Sequence, residues 1–453
     1  MNQRFSDMEL GQFAGDIIDA ALKAGADQAD LLLQIGRESE IVVRMGKIET
    51  IKEAVSQGYG LRVFKNRKLG FCHSSDFSLD AAKTAVKQAV SLAGEVSSDE
   101  HNGLPEPVTI SGIPDTDIYD RTIAEIPSQT KIDICLETEN AVFEYDRRIV
   151  NSEGVGFYDG EGITIMANSN GVNFSFPASY CVLTANPVAR ENGKLQANSW
   201  HSMKRHFKEM ASPGHVARMA AERTIRMLGA RTPSTAKVPV VFDPMTGSAL
   251  LSSILGALDG DAVFKSASFL ADKLDKVVAS PLVTIVDDGV IPKGLGTSPF
   301  DGEGLPTGKK EVISNGRLCT FLYDTYTARK AGTKSTANAR REYSSLPSIG
   351  PLNFYMQPGI SKFDEIIETV KNGLLLTNLM GFGANTVTGD YSLGGSGTWI
   401  ENGRLAYPVE GITVAANLLD ILKQIDLVGN DLEFFGQVAT PSFRVARMTV
   451  SGA

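Results

Sequence analysis

Val238-Pro239-Val240-Val241-Phe242, followed by Leu250-Leu251-Ser252-Ser253-Ile254-Leu255-Gly256-Ala257-Leu258-Asp259-Gly260-Asp261, reads as an apolar strand, a helix-like run and an acidic turn. A hydrolytic zinc ion needs imidazole or thiolate ligands and a carboxylate that takes a proton from bound water. Leucine, serine, glycine and alanine fill the helix-like run and can do neither. The run therefore reads as scaffold without a hydrolytic centre.

Outward from this stretch the second half is rich in glycine and strands. Strands are predicted at 281–286, 311–313, 321–323, 374–379, 397–400, 404–407 and 411–415. One helix is clear at 361–371, with a serine cap, Phe363, Ile366, Ile367 and Val370 on one face, and Asn372-Gly373 as a stop. Ala230-Arg231-Thr232-Pro233-Ser234 marks a boundary between an N-terminal α+β domain, 1–234, and a C-terminal β-rich domain, 235–453.

The first half opens with a helix at 8–23, stopped near Gly25, then strands at 30–35, 41–44 and 59–64. A hairpin across Lys65-Asn66-Arg67 pairs the last of these with 68–73, and a helix capped by Ser78 runs to about 92. The proline-bearing stretch 94–127 is a connection, and 128–145 is a helix. From 149 to 199 the pattern is an antiparallel meander with turns at Asp159-Gly160, Asn170-Gly171 and Asn192-Gly193. Ser212-Pro213 opens a helix that ends before Gly229.

The chain has 453 residues, 42% hydrophobic and 21% charged, as expected of a globular protein of more than one domain. Its net charge of −9 argues against general nucleic-acid affinity. No apolar run reaches the roughly 20 residues needed to cross a bilayer, and the first nine residues lack a signal-peptide core. Cys72, Cys135, Cys181 and Cys319 are scattered and form no C-x-x-C pair, as reduced thiols would be. A cytoplasmic protein is expected.

Several constellations imitate sites. His201-Ser202-Met203-Lys204-Arg205-His206 spaces two histidines five apart, but Ser202 is no general base and Lys204 and Arg205 repel a cation. On a regular helix such residues diverge by roughly 140°. Asp259, Asp261, Asp287 and Asp288 match no calcium-loop spacing and read as turn and helix-end residues. Gly302 to Lys309 fails the phosphate-loop pattern, Gly394-Gly395-Ser396-Gly397-Thr398 fails the nucleophile elbow, and Gly381-Phe382-Gly383 lacks a third glycine.

Longer segments carry a resemblance. They are Asp324-Thr325-Tyr326-Thr327-Ala328-Arg329-Lys330-Ala331-Gly332 with Ser335 to Arg341, Val283 to Gly289, Gly389-Asp390 through Gly397, Ile400-Glu401-Asn402-Gly403, Tyr407 to Thr413, Gly429-Asn430-Asp431-Leu432 and Thr440-Pro441-Ser442-Phe443. Together they resemble the TldD/PmbA family, formerly called modulators of DNA gyrase and grouped with peptidases. In TldD-type members the helix after the strand carries His-Glu-x-x-x-His, and a Cys-Gly-Lys follows the Asn-Asp-Leu element. Here Asn430-Asp431-Leu432-Glu433-Phe434-Phe435-Gly436-Gln437 passes to Val438 without a cysteine. Both losses point to the PmbA/TldE branch.

The resemblance implies an α+β protein, with an N-terminal α/β region of antiparallel strands and a C-terminal antiparallel sheet or barrel-like domain. It implies a non-catalytic subunit that pairs with a TldD-type chain, which holds the zinc, in a peptidase acting on unfolded peptides in proteolysis or peptide maturation. No catalytic or metal-ligating residue is assigned to this chain. Asp324, Thr325, Asn338, Arg340, Arg341, Gly394, Gly395 and Ser396 are the candidates for peptide or partner contact, with backbone pairing at a sheet edge as the mode. The alternatives are a homodimeric peptide-binding or chaperone-like module, and a self-sufficient hydrolase with an unrecognised site.

Overall fold

A computed structural model describes residues 7–108, 112, 114–381 and 383–452. Residues 1–6 of the amino-terminal stretch, 109–111 and 113 of the predicted connection, Phe382 of the Gly-Phe-Gly run and residue 453 lie outside them.

Among the described residues the first half is one antiparallel sheet with four α-helices. In order come α1 (Asp7–Lys23), β1 (Gln28–Arg44), β2 (Lys47–Lys65), β3 (Lys68–Ser74) and α2 (Leu79–Glu95). After the connection follow α3 (Ser128–Tyr145), β4 (Ile149–Asn168), β5 (Asn173–Glu191), β6 (Lys194–Ala197), β7 (Trp200–Lys204) and α4 (Pro213–Arg226). The strands are ordered β3-β2-β1-β4-β5-β6, with β7 also on β5. Helix starts follow the sequence signals: the hydroxyl of Ser78 accepts from Ala81 N, and that of Ser212 from His215 N with proline in the first turn.

Two readings change. Segments 30–35 and 41–44 are parts of one long strand, and Asp159-Gly160 is no turn. Asp159 pairs with Ser39 on β1 and Cys181 on β5, so ladders on both sides override the local turn preference. Its carboxylate accepts from Lys131 Nζ at 2.5 Å instead of closing a hairpin.

Side chains alternate across the sheet, and the parity decides its layers. Leu31, Leu33, Ile41 and Val43 of β1 face the helices, in one core under α1 and α2 and another under α3 and α4. On the opposite face Leu32 and Gln34 of β1 border a cleft against the second half of the chain.

That half begins with β8 (Ala236–Phe242), then α5 (Pro244–Ser253), α6 (Leu255–Leu258) and α7 (Gly260–Phe264). Next are β9 (Ile285–Asp288), β10 (Lys309–Ser314), β11 (Arg317–Leu318), α8 (Thr325–Lys330), β12 (Ala339–Arg340), β13 (Ser348–Ile349) and β14 (Asn353–Met356). The chain ends with α9 (Phe363–Glu368), β15 (Asn372–Met380), β16 (Asp390–Glu401), β17 (Arg404–Asn417), α10 (Leu418–Lys423), β18 (Ile425–Val428), β19 (Val438–Ala439) and β20 (Phe443–Ser451). Strands β17-β16-β15-β8-β20 form a sheet that closes on itself through a β17–β20 pairing, with β18 added beside β20. A second sheet runs β11-β10-β9-β14-β19, and β12 pairs with β13. The expected α+β class and barrel-like second half are what the chain adopts.

Here too local readings shift. Residues 321–323 form no strand, α9 is shorter than 361–371, and Asn372-Gly373 begins β15 instead of following a helix end. Gly394 to Gly397 lies inside β16. A Cβ on Gly397 would fall 2.0 Å from the Leu375 carbonyl oxygen, so the barrel's close strand approach requires glycine there.

Candidate functional site

The two halves meet at a buried ionic cluster. Asp30 on β1 and Arg62 on β2 are direct cross-strand partners, both on the face turned away from the helices. Arg62 Nη2 donates to Asp30 Oδ2 at 2.5 Å and its Nη1 to Glu303 Oε1 at 3.0 Å. Arg341 reaches in from the other half, donating to Asp30 Oδ1 at 2.9 Å and to the Gly60 carbonyl at 3.1 Å. The side chains of Arg341 and Asp30 are fully buried. Glu303 Oε2 also accepts from Thr325 N at 2.8 Å, which ties α8 to the same cluster.

Charge state follows from these partners. Burial works to raise the Asp30 pKa, but Arg341 and Arg62 more than reverse it and hold the carboxyl below its ordinary value. Asp301 has no such cation; burial, then repulsion from Glu303, raises it to about 7. Burial and Glu303 likewise raise Asp324.

Beside the cluster a cleft of about 440 Å³ opens between the sheet and the second half. Its floor is the even-parity face: Leu32 and Gln34 of β1, Thr164 and Met166 of β4, Phe174 and Phe176 of β5. Its roof includes Phe300, whose ring stacks on Phe174 with centroids 3.7 Å apart, and Arg340. Arg205, just past β7, completes the wall. Arg205 donates to three carbonyls, those of Gly294 at 3.2 Å, Ser179 at 3.1 Å and Leu295 at 2.6 Å. Burial, and then the nearby charge of Arg340, lowers its pKa to about 10. Among the described residues the Arg340 guanidinium makes no hydrogen bond or ion pair, and burial lowers its pKa.

The contact candidates separate into groups. Arg340 and Arg341 line the cleft, although Arg341 is paired. Asp324 caps α8, accepting from Thr327 N at 2.8 Å, and Thr325 is buried with its hydroxyl unpartnered. Asn338 is wholly buried, donating to Asp287 and Gly350 and accepting from Lys310 and Thr336. Gly394, Gly395 and Ser396 are in the barrel wall, on β16, and do not line the cleft. Arg205, Asp30, Arg62 and Glu303 were not among the candidates. The signal for Asp30 and Arg62 was present: each is a charge inside an apolar strand, in Ala29-Asp30-Leu31 and Leu61-Arg62-Val63.

The segment where the family's zinc ligands are expected does not fit the metal. Leu250, Leu251, Ile254, Ala257 and Leu258 enter the barrel core. The hydroxyls of Ser248, Ser252 and Ser253 donate to carbonyls one turn back in α5. Neither group is a zinc ligand set. The decoy histidines diverge: His201 Nε2 lies 2.9 Å from the Phe435 carbonyl oxygen, and His206 Nε2 lies 2.9 Å from that of Asp117. The acidic set is dispersed too. Asp259 caps α7, Asp261 pairs with Lys265, Asp287 binds Lys310, and Asp288 accepts from Val290 N.

An antiparallel sheet backed by helices, joined to a closed five-strand barrel, is the architecture of a metallopeptidase family. Residues 29–93, 121–228 and 235–452 match PmbA/TldA metallopeptidase domain 1, central domain and C-terminal domain respectively. The chain belongs to the PmbA/TldD family. Metalloprotease PmbA of Escherichia coli O157:H7 is 30% identical over 428 residues, covering 94% of this chain and 93% of that protein. The PmbA homolog of Haemophilus influenzae is 30% identical over 98% of this chain and 97% of its own. A candidate modulator of DNA gyrase from Bacteroides thetaiotaomicron has a solved structure with a TM-score of 0.91 and 27% identity, over 99% of this chain and 100% of that one.

Proposed function

We propose that this chain is the non-catalytic subunit of a zinc metallopeptidase, paired with a TldD-type chain that supplies the metal, and acting on unfolded peptides. One observation carries the reading: the family's metal-bearing segment is here core leucine and self-bonded serine. The chain contributes a wall of the peptide-binding space. No helix of the described residues is long and apolar enough to cross a membrane, and cytoplasmic action is part of the same proposal. The test is to purify this chain, a TldD-type chain and their mixture, then measure zinc content and cleavage of an unstructured peptide. Zinc and turnover are expected in the mixture, with neither in this chain alone. Stoichiometric zinc together with cleavage by this chain alone overturns the proposal. A cleft contained within one chain favours a second reading, a homodimeric peptide-binding module; a two-fold assembly that holds peptide and ignores the TldD-type chain supports that instead.

A further inference from the structure

We propose that the cleft is a binding site for the carboxylate of an extended peptide, with Arg340 as the binding group and Arg205 as a fixed charge beside it. The inference concerns this chain's own cleft and stands or falls apart from the source of zinc.

Burying a cation without a counter-ion costs several kcal/mol, so chains normally pair it or leave it in water. Two cations here share one cavity, and among the described residues neither has a carboxylate within 4.0 Å. Arg205 is held still by its three carbonyls, none of which neutralises it. The stem of Arg340 lies over Gly350, where a Cβ would come 2.7 Å from Arg340 Cγ. The glycine therefore leaves the arginine room to lie in the cleft.

Arg340 feels the charges of Asp287 and Glu342, but Asp287 is engaged by Lys310 and Asn338 and neither acid pairs with the guanidinium, so the nearby acids do not fill the cleft with a counter-ion. Asp301 directs its oxygens to the N–H groups of Glu303, Leu305 and Ala339, and its raised pKa leaves it partly protonated near neutrality. Glu342 is solvent-exposed. A guanidinium presents parallel N–H donors that match the two oxygens of a carboxylate. The stacked Phe174 and Phe300, with Leu32, offer an apolar surface to the side chain next to that carboxylate. The cleft volume is within the range of natural ligand pockets, about 300–1,000 Å³.

The experiment is calorimetric titration of the full chain with four probes: N-acetyl-Ala-Ala-Phe as the free acid, its C-terminal amide, N-acetyl-Ala-Glu-Phe-amide, and inorganic phosphate. Binding of the free acid at least tenfold tighter than the amide supports a terminal carboxylate. Recovery of that affinity by the internal glutamate supports a side-chain carboxylate. Arg340→Met should remove the preference with an unchanged melting temperature, and Arg340→Lys should retain part of it. Equal binding of acid and both amides, no binding of any peptide, tighter binding of phosphate than of the free acid, or a preference that survives Arg340→Met overturns the proposal.

Discussion

Arg340 and Arg341 are neighbours in sequence and opposites in circumstance. Arg341 is enclosed with Asp30 and shares that carboxylate with Arg62, whereas Arg340 borders a cleft and meets no acid within ion-pairing distance among the described residues. Arg340 ends β12 and Arg341 follows it; both line the cleft, but Arg341 binds Asp30 across the two halves while Arg340 is left without an ion pair among the described residues. A buried pair supports the fold only while both partners remain; an unpaired charge in a cavity contributes no such support. Removing Asp30 should therefore have the largest effect. Asp30→Ala leaves Arg341 with one carbonyl partner and an Nε that already has none. A loss of about 3–5 kcal/mol in urea unfolding is expected, the scale for stranding a buried charge. A loss below about 1 kcal/mol would place the cluster in effective contact with water.

The same cluster gives a contrast in pH dependence. Asp30 is held below its ordinary pKa by Arg341 and Arg62, so its contribution is present above the unfolded value of 3.8 and is lost as pH falls through the folded one. Asp301 runs the other way. Its folded pKa, about 7, exceeds 3.8, so its contribution is complete below the unfolded value and disappears as pH rises to about 7. The stability of the natural chain relative to Asp301→Asn should fall across that window by on the order of 3 kcal/mol. Unfolding both proteins in urea at pH 4, 5.5 and 7.5 measures the difference, and a flat profile would mean that Asp301 stays ionised.

Much of the architecture was legible because it depends on local signals. Ser78 and Ser212 capped helices as their sequences indicate, and Asn170-Gly171 and Asn192-Gly193 turned the meander. Asp159-Gly160 misled because pairing on two sides decides a central strand, and a single strand's residues do not reveal its neighbours. The absence of ligand chemistry in the Leu250 to Asp261 run was readable from residue type alone. The cleft was not. Its floor comes from β1, β4 and β5 and its roof from beyond residue 294, so only long-range topology brings Arg205 against Arg340. Arg341 and Arg340 looked equivalent in sequence, because pairing across some 311 positions is invisible there.

The smallest expected effect is the sharpest test of the contrast between the two arginines. Arg340→Met keeps the stem that lies over Gly350 while deleting a charge that, among the described residues, makes no hydrogen bond or ion pair and feels only the more distant charges of Asp287 and Glu342. Stability should change by less than about 0.5 kcal/mol, as for substitutions outside a paired network. The change stays small because the attraction lost to Asp287 and Glu342 is opposed by the like charge removed from beside Arg205. Arg341→Met, one residue on, should instead cost several-fold more by leaving Asp30 with Arg62 alone. Parallel urea unfolding of both variants decides it. Comparable losses would make Arg340 a structural residue like its neighbour, and the charge in the cleft would then need no ligand to explain it.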